Sequence, residues 1–425
     1  MEEIVIVGGG IGGLATALAL HRMGLKSLVL ETSDSLRCSG FALAMWNNAW
    51  IALDALGVAD SLRQQHTQIL EMVWLSTNSG RQISRTALNS KRRNSGTNEA
   101  RFVERKAIVE AIAKELPKDY IMFSTKVDYI ENMGYFKMLH LTNGSTLTTK
   151  VLIGADGVNS VVARSLRLKK PHFDGRWSIR GFVHFTGIHK LEPVFLQCIG
   201  NGVRFGIVPC GDTSVYWFYI WPSSDQEKGL KGNQAMMKQF VLSNLKRVPP
   251  KILEIIDKTK DEDVLFAPLS LRPPWELFRG NISKDNVCVV GDAFHPMTPD
   301  LGQGGCSTLE DAIILAKHIG RAMLQGRIQT NKSQLLQDEY VHVLIKDALT
   351  KYSQERKWRV IGLTSTAFIV GNIQQSCGKL MSLLREQHVL SSFLAKVMVN
   401  KGDYDCGKLM LGNKDENFNI DDHSH

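Results

Sequence analysis

The sequence predicts an α/β protein: a Rossmann-like domain, an inserted antiparallel-sheet domain and C-terminal helices. Three observations carry this reading. The chain opens on a short apolar run, Ile4-Val5-Ile6-Val7, then a glycine-rich turn, then apolar residues at helical spacing (Leu14, Ala17, Leu18, His21, Leu25). Val151–Gly154 and Val287–Gly291 repeat the pattern of an apolar strand ending in Gly, Asp and small residues. Residues 172–221 instead alternate and are rich in aromatics, culminating in Val215-Tyr216-Trp217-Phe218-Tyr219-Ile220-Trp221, the period of an antiparallel sheet.

Each element follows in order. Ile4–Val7 is apolar on every residue, so it belongs to a strand covered on both faces. The helix after it closes near Gly24, and Ser27–Glu31 (SLVLE) is a second buried strand, completing a βαβ unit. Asn89–Asn98 (NSKRRNSGTN) is polar and reads as a loop. Residues 305–325 and 333–400 read as helices, and the polar tail from Asn413 is expected to fray.

Composition excludes several classes. With 44% hydrophobic and 22% charged residues over 425 positions, long disorder is excluded and a large core is expected. No apolar stretch reaches the length of a spanning helix: Val360–Gly371 is interrupted by Gly362, Thr364, Ser365 and Thr366, and Leu380–Val399 is interrupted too. Helices docked on the protein's own body are the expectation there, without membrane contact. Seven scattered cysteines without a C-x-x-C pair predict free thiols, no disulfide framework and no metal site. Met1-Glu2-Glu3 runs straight into the first strand, so no targeting segment is expected and a cytoplasmic location follows. The net charge of +9 gathers in Arg81–Arg93 and Arg164–Lys190 without interleaved aromatics. That pattern speaks against nucleic acid and for solvated surface, with a few arginines serving a phosphate-bearing cofactor.

The glycine turn contains G-x-G-x-x-G at Gly8, Gly10 and Gly13, with Glu31 at the end of the next strand. Gly8 permits the tight turn, Gly10 lets the backbone approach a pyrophosphate, and Gly13 lets the helix pack on the sheet. The helix N-terminus stabilises phosphate charge, and Glu31 suits a ribose hydroxyl. NAD and FAD fit this fingerprint equally. With only one such motif in the chain, a separate nicotinamide domain is not expected.

Two further motifs follow strands: Gly154-Ala155-Asp156-Gly157-Val158-Asn159-Ser160, and Val289-Val290-Gly291-Asp292-Ala293-Phe294-His295-Pro296 continuing into Pro299-Asp300-Leu301-Gly302-Gln303-Gly304-Gly305. At these residues the sequence resembles the single-component FAD-dependent aromatic hydroxylases and related epoxidases, and looks most like the plant monooxygenases akin to salicylate-hydroxylase-like and zeaxanthin-epoxidase-like proteins. The resemblance implies non-covalent FAD, transient NADPH or NADH, and O2. It implies a monooxygenase inserting one oxygen into an aromatic or electron-rich small molecule through a flavin C4a-hydroperoxide. It assigns Asp156 to a shared FAD and NAD(P)H contact, with Arg164 a later and less regular match. Asp292 goes to the ribityl chain or pyrophosphate, and Gly302, Gly304 and Gly305 to close approach of the flavin. Arg37 and Arg105 match arginines placed near the cofactor. Cys306 reads as a packing residue, and His295 as a shaper of its loop or a proton donor. Epoxidation, oxidative rearrangement and a non-redox role of the GDP-dissociation-inhibitor type are the alternatives on this fold.

The expected division is residues 1–75, 101–170 and 280–345 for the FAD-binding domain. Residues 76–100 and 171–279 form the substrate domain, and 346–425 the C-terminal helices and tail. A monomer is expected. Period-two geometry places Tyr216 and Phe218 on one face of their strand and Trp217, Tyr219 and Trp221 on the other. The family pattern, Arg204 five residues before Pro209, turns the Tyr216 face toward the flavin. Arg204 and Tyr216 are the expected catalytic residues: Arg204 near a flavin carbonyl or an anionic substrate, Tyr216 bonding a phenolate. Phe218 and Pro299 are assigned to the substrate wall.

Overall fold

A computed structural model describes residues 1–36, 40–88, 98–224, 229–245, 247–328, 334–375 and 387–409. Arg37 and the polar loop 89–97 lie outside the described residues.

The first sheet has eight strands. Its main path runs Ser283–Lys284, Val287–Val289, Thr146–Gly154, Glu2–Val7, Leu28–Leu30, Ile121–Met122, and the hairpin Val127–Met133/Phe136–Leu141 joins at Thr146–Gly154. Its centre is parallel, with Val5 opposite both Leu152 and Leu28 and Ile153 opposite Cys288. The first strand is apolar at successive positions because it is covered on both sides. Ile4 and Ile6 pack with Leu14, Leu18, Leu309 and Ile313, whereas Val5 and Val7 pack with Leu152, Val162, Val287 and Val360.

The second sheet has seven strands in the order Val264–Leu271, His172–His184, Ser214–Pro222, Val203–Pro209, Val194–Gly200, Glu71–Ser76, Gln82–Ala87. All its pairings are antiparallel except that between Val194–Gly200 and Glu71–Ser76. Sequence alternation in 172–221 marks four of these strands. The other three come from distant segments whose pairing nothing local announces.

Alternation in Ser214–Pro222 sorts its side chains between two cores. Trp217, Tyr219 and Trp221 pack outward with Met237, Val241, Ile252 and Ile256, from helices Gln234–Asn244 and Pro250–Asp257. Tyr216, Phe218 and Ile220 face the core shared with the first domain. The outward side fits closely: a Cβ at Gly181 would overlap the Trp217 indole, whose Nε1 donates to Thr259 Oγ1 at 2.9 Å.

Among the described residues three α-helices follow the last strand. Gly304–Ile328 packs on Ile11–Arg22, and His388–Lys401 comes last. Between them Gln334–Gln375 runs 42 residues, about 63 Å at 1.5 Å per residue. Within the segment 333–400 that the sequence reads as helical, the described residues form the very long helix Gln334–Gln375 and the helix His388–Lys401, and residues 376–386 lie outside the described residues. Among the described residues no helix is long and apolar enough to cross a membrane.

Candidate functional site

A cavity of about 520 Å³ lies between the two sheets, and its walls come from segments spread over most of the chain. Gly10, Ile11 and Gly12 line one side, where helix Ile11–Arg22 begins. Gly8 has φ +108°, and a Cβ there would stand 2.5 Å from the Ala155 carbonyl oxygen. A Cβ at Gly13 would overlap the Gly8 carbonyl oxygen. Gly10 differs: a Cβ there would meet only Arg105 Nη2, at 3.9 Å. Gly8 and Gly13 therefore serve the turn and the packing, and Gly10 keeps space open. No side chain caps this helix and its first turn holds no acid, so its amide end faces the cavity uncompensated.

Glu31 does not line the cavity. Its Oε2 accepts from Gly9 N and its Oε1 from Ser33 N, each at 2.8 Å, which fixes the glycine turn from behind. Asp156 is likewise off the wall, though Ala155, Gly157 and Val158 are on it. Its Oδ2 accepts from Val161 N at 2.7 Å, and burial pushes its carboxyl above the usual aspartate value. Arg105 does line the cavity, and its Nε is buried without a hydrogen-bond partner among the described residues.

The opposite end of this wall is the segment from Asp292 to Gly305. Asp292, Pro299, Gly302, Gly304 and Gly305 all line the cavity. Gly302 has φ +64°, and a Cβ on it would press within 2.9 Å of Ala44 Cβ, so the tight turn into helix Gly304–Ile328 requires glycine. Cys306 is buried and donates from Sγ to Ala44 O at 3.2 Å; burial pushes its thiol up to about 12, which makes it a packing residue. His295 is fully buried, with Nε2 2.6 Å from Asp311 Oδ2. Asp311 also accepts from Gly291 N at 2.9 Å and Arg356 Nε at 2.7 Å. His295 is therefore part of the anchor that holds this segment to helix Gly304–Ile328, and it does not reach the cavity.

The roof is the inner face of the second sheet: Ser178, Arg180, Phe195, Arg204, Tyr216, Phe218, Ile220 and Pro268–Ser270. Tyr216 and Phe218 are on this face, and Trp217 is behind it. Rings from both domains meet beneath the roof. Phe102 lies 4.9 Å from Phe195 and 6.4 Å from Tyr216, and Phe41 stacks on Phe182 at 6.1 Å. Burial raises the Tyr216 hydroxyl above its ordinary value, against the pull of Arg180 and Arg204.

Arg204 lines the cavity yet is only 2% exposed. Its Nη1 donates to Asp300 Oδ1 at 3.1 Å, its Nε to Gln197 Oε1 at 2.9 Å, and its guanidinium lies 5.2 Å from the Phe218 ring centre. Burial lowers it to about 10, and Asp300 opposes that shift. Asp300 also takes Arg176 in a bidentate pair at 3.0 and 2.8 Å. Burial pushes the Asp300 carboxyl up, but Arg176 and Arg204 together outweigh it and hold the group below its ordinary value. Asp300 lies inside the singled-out loop Pro299–Gly305, and only its partners distinguish it from its neighbours. Met398, from the last helix, also reaches the wall, and no sequence signal marked it. Among the described residues no three His, Cys, Asp or Glu side chains converge on a metal site.

The residues present fit FAD: an uncapped helix end, an orphaned buried Arg105 nitrogen, and glycine faces at Gly10 and Gly304 on which a Cβ would find open space.

Residues 1–342 match the family described as "FAD binding domain". Monooxygenase 2 of Arabidopsis thaliana is 44% identical over 412 residues, covering 96% of this chain and 98% of that protein. Monooxygenase 1 of the same plant is 34% identical over 423 residues, covering 96% of this chain and 100% of that one. Among solved structures, Klebsiella pneumoniae HpxO complexed with FAD and uric acid superposes with a TM-score of 0.78 at 21% identity, covering 94% of this chain and 96% of that one. At that identity the likeness speaks for the fold.

Proposed function

The chain belongs to this FAD-binding family, among the plant-type monooxygenases, and on that premise we propose that it is an NAD(P)H- and O2-dependent enzyme. It inserts one oxygen atom into an aromatic or electron-rich small molecule. The observation that carries this reading is the cavity itself, with an open helix end and glycine loop on one side and an aromatic roof on the other. Bound FAD supplies the reduction by NAD(P)H, the activation of dioxygen and the transfer of one oxygen atom.

The protein's part is placement and exclusion of water. The amides of Ile11 and Gly12 and the Arg105 guanidinium would hold the pyrophosphate, with Asp292 receiving hydroxyls of the sugar chain. The N-terminal amides of Gly304–Ile328 would face the electron-rich edge of the flavin. Glu31 and Asp156 act indirectly, by fixing the turn and the short helix after Ser160. On this reading the first sheet and its helices form the cofactor body and the second sheet forms the roof, which takes in strand Glu71–Ser76 from the segment 1–75 expected in the cofactor body. Tyr216, kept protonated by burial, donates to an oxygen of the substrate, and Phe218 and Pro299 bound the ring. Arg204 is already engaged by Asp300, so it orients the roof and lends a compensated charge. A cytoplasmic setting is supported by Cys198, Cys210, Cys288, Cys306 and Cys406, all buried and unpaired.

The test is a screen for substrate-stimulated NAD(P)H oxidation by the FAD-loaded protein, with products weighed for the gain of one oxygen. Arg204→Ala and Tyr216→Phe are expected to lower stimulated turnover with FAD content intact. Stimulation by no aromatic compound, or product without added oxygen, would reject the reading.

A further inference from the structure

The charges on the cavity wall are unevenly paired. Five ionisable side chains other than tyrosine line it: Arg105, Arg180, Arg204, Asp292 and Asp300. Asp300 is taken by Arg204 and Arg176. Arg105 sits across the cavity beside Gly10 and Gly40, at the end built for the dinucleotide. Arg180 is in the roof, and among the described residues it has no carboxylate within ion-pair distance and no hydrogen-bond acceptor.

The sheet aims Arg180 inward. It pairs with Phe218 on one neighbouring strand and with Leu265 on the other. Ser178 and Phe182, two residues away on either side, share its face. Ser178 lines the cavity, and Phe182 stacks on Phe41 at 6.1 Å. Its charge also reaches Tyr216, whose hydroxyl it draws down against the larger effect of burial. The roof therefore offers one uncompensated guanidinium set among aromatic rings. A half-buried cation in such surroundings loses hydration that only an anion returns in full, and a guanidinium matches the two oxygens of a carboxylate.

We propose that Arg180 determines specificity in this cavity and selects an aromatic substrate that carries a carboxylate. The proposal rests on reading the cavity as a monooxygenase substrate site. It moves charge recognition away from Arg204, whose guanidinium is spent on Asp300, to the arginine that is free to meet a ligand.

The experiment measures equilibrium binding to the FAD-loaded protein by titration calorimetry, using matched acids and amides: benzoate and benzamide, 3-hydroxybenzoate and 3-hydroxybenzamide, 2-naphthoate and 2-naphthamide. In the unaltered protein the acid is expected to bind roughly tenfold or more tighter than its amide, the worth of one charge-assisted hydrogen bond. Arg180→Met is expected to erase that gap, Arg180→Lys to keep part of it, and Arg180→Gln serves if the Met variant loses FAD. Equal binding of acid and amide, a gap that survives in Arg180→Met, or no binding by any of the acids overturns the proposal. KM for NADH and NADPH is expected to stay unchanged in Arg180→Met. A rise there with the acid–amide gap intact would assign the arginine to the reductant's phosphates and overturn the proposal as well. Binding is read without turnover, so a protein that discriminates acid from amide yet adds no oxygen would sink the monooxygenase reading alone.

Discussion

Arg204 Nη1 stands 3.1 Å from Asp300 Oδ1, with both side chains buried. This pair ties strand Val203–Pro209 of the roof to the glycine loop of the opposite wall. Arg176 grips the same carboxylate from strand His172–His184, on the far side of Ser214–Pro222, so one buried anion holds two cations and ties two roof strands to the opposite wall.

Asp300→Asn keeps the shape and removes the charge. Buried Arg204 then loses its carboxylate, while Arg176 keeps Asp174, and the expected loss is about 3–5 kcal/mol of stability. Urea unfolding followed by tryptophan fluorescence would read it. A loss under about 1 kcal/mol would mean solvent reaches the pair, contrary to its burial.

Acid should reveal the same economy of charge. Asp300, Glu310 and Asp311 are each pushed up by burial, yet held below their ordinary values, 3.8 for Asp and 4.5 for Glu, by Arg176, Arg204, Arg356, Arg359 and His295. A depressed carboxylate contributes stability that is complete above the unfolded value and is lost as pH falls through the folded one. The urea midpoint is expected to fall steeply below about pH 4.5. Arg356→Met, which removes the shared partner of Glu310 and Asp311, should be less stable at neutral pH and show a shallower acid slope.

Gly10→Val and Gly13→Val should separate cofactor binding from folding. A side chain at Gly13 collides with the Gly8 backbone, so little folded protein is expected. At Gly10 it enters open space, so the protein should fold with a near-normal melting temperature and purify with little flavin. Full flavin content in Gly10→Val would displace the cofactor from this wall.

Trp217→Phe probes the far side of the roof. It removes the bond from Nε1 to the buried Thr259 hydroxyl and leaves a void against Gly181, costing about 1–3 kcal/mol. Substrate-stimulated turnover should hold while Tyr216→Phe lowers it. The reverse pattern would place the reacting ring on the other face.

What could be read from the sequence was what depends on short-range pattern. The glycine turn, the strand before it and the two faces of Ser214–Pro222 follow from spacing alone. The Asp300–Arg204 pair joins residues 96 positions apart, and the Asn48–Gln303 contact spans 255. Such distances leave no mark in a local window. Glu31 and Asp156 show a subtler limit: spacing identifies a carboxylate near the turn but not every group it bonds, and here Glu31 and one oxygen of Asp156 accept from backbone amides. Met398 lines the cavity because its helix returns to Trp46, where a Cβ at Gly402 would stand 2.9 Å from Trp46 Cβ. Only the completed fold discloses that return.

The wide scatter of the cavity's walls along the chain bears on how the protein is made. The parallel pairings of Val5 with Leu152 and of Ile153 with Cys288 cannot form until those later residues have been synthesised, and the wall is finished only when Met398 arrives. Such distant closures fold slowly, and the unpaired strands stay exposed while the rest of the chain is still on the ribosome. FAD thus meets a complete wall only after Met398 has been made, well after the glycine turn that opens it.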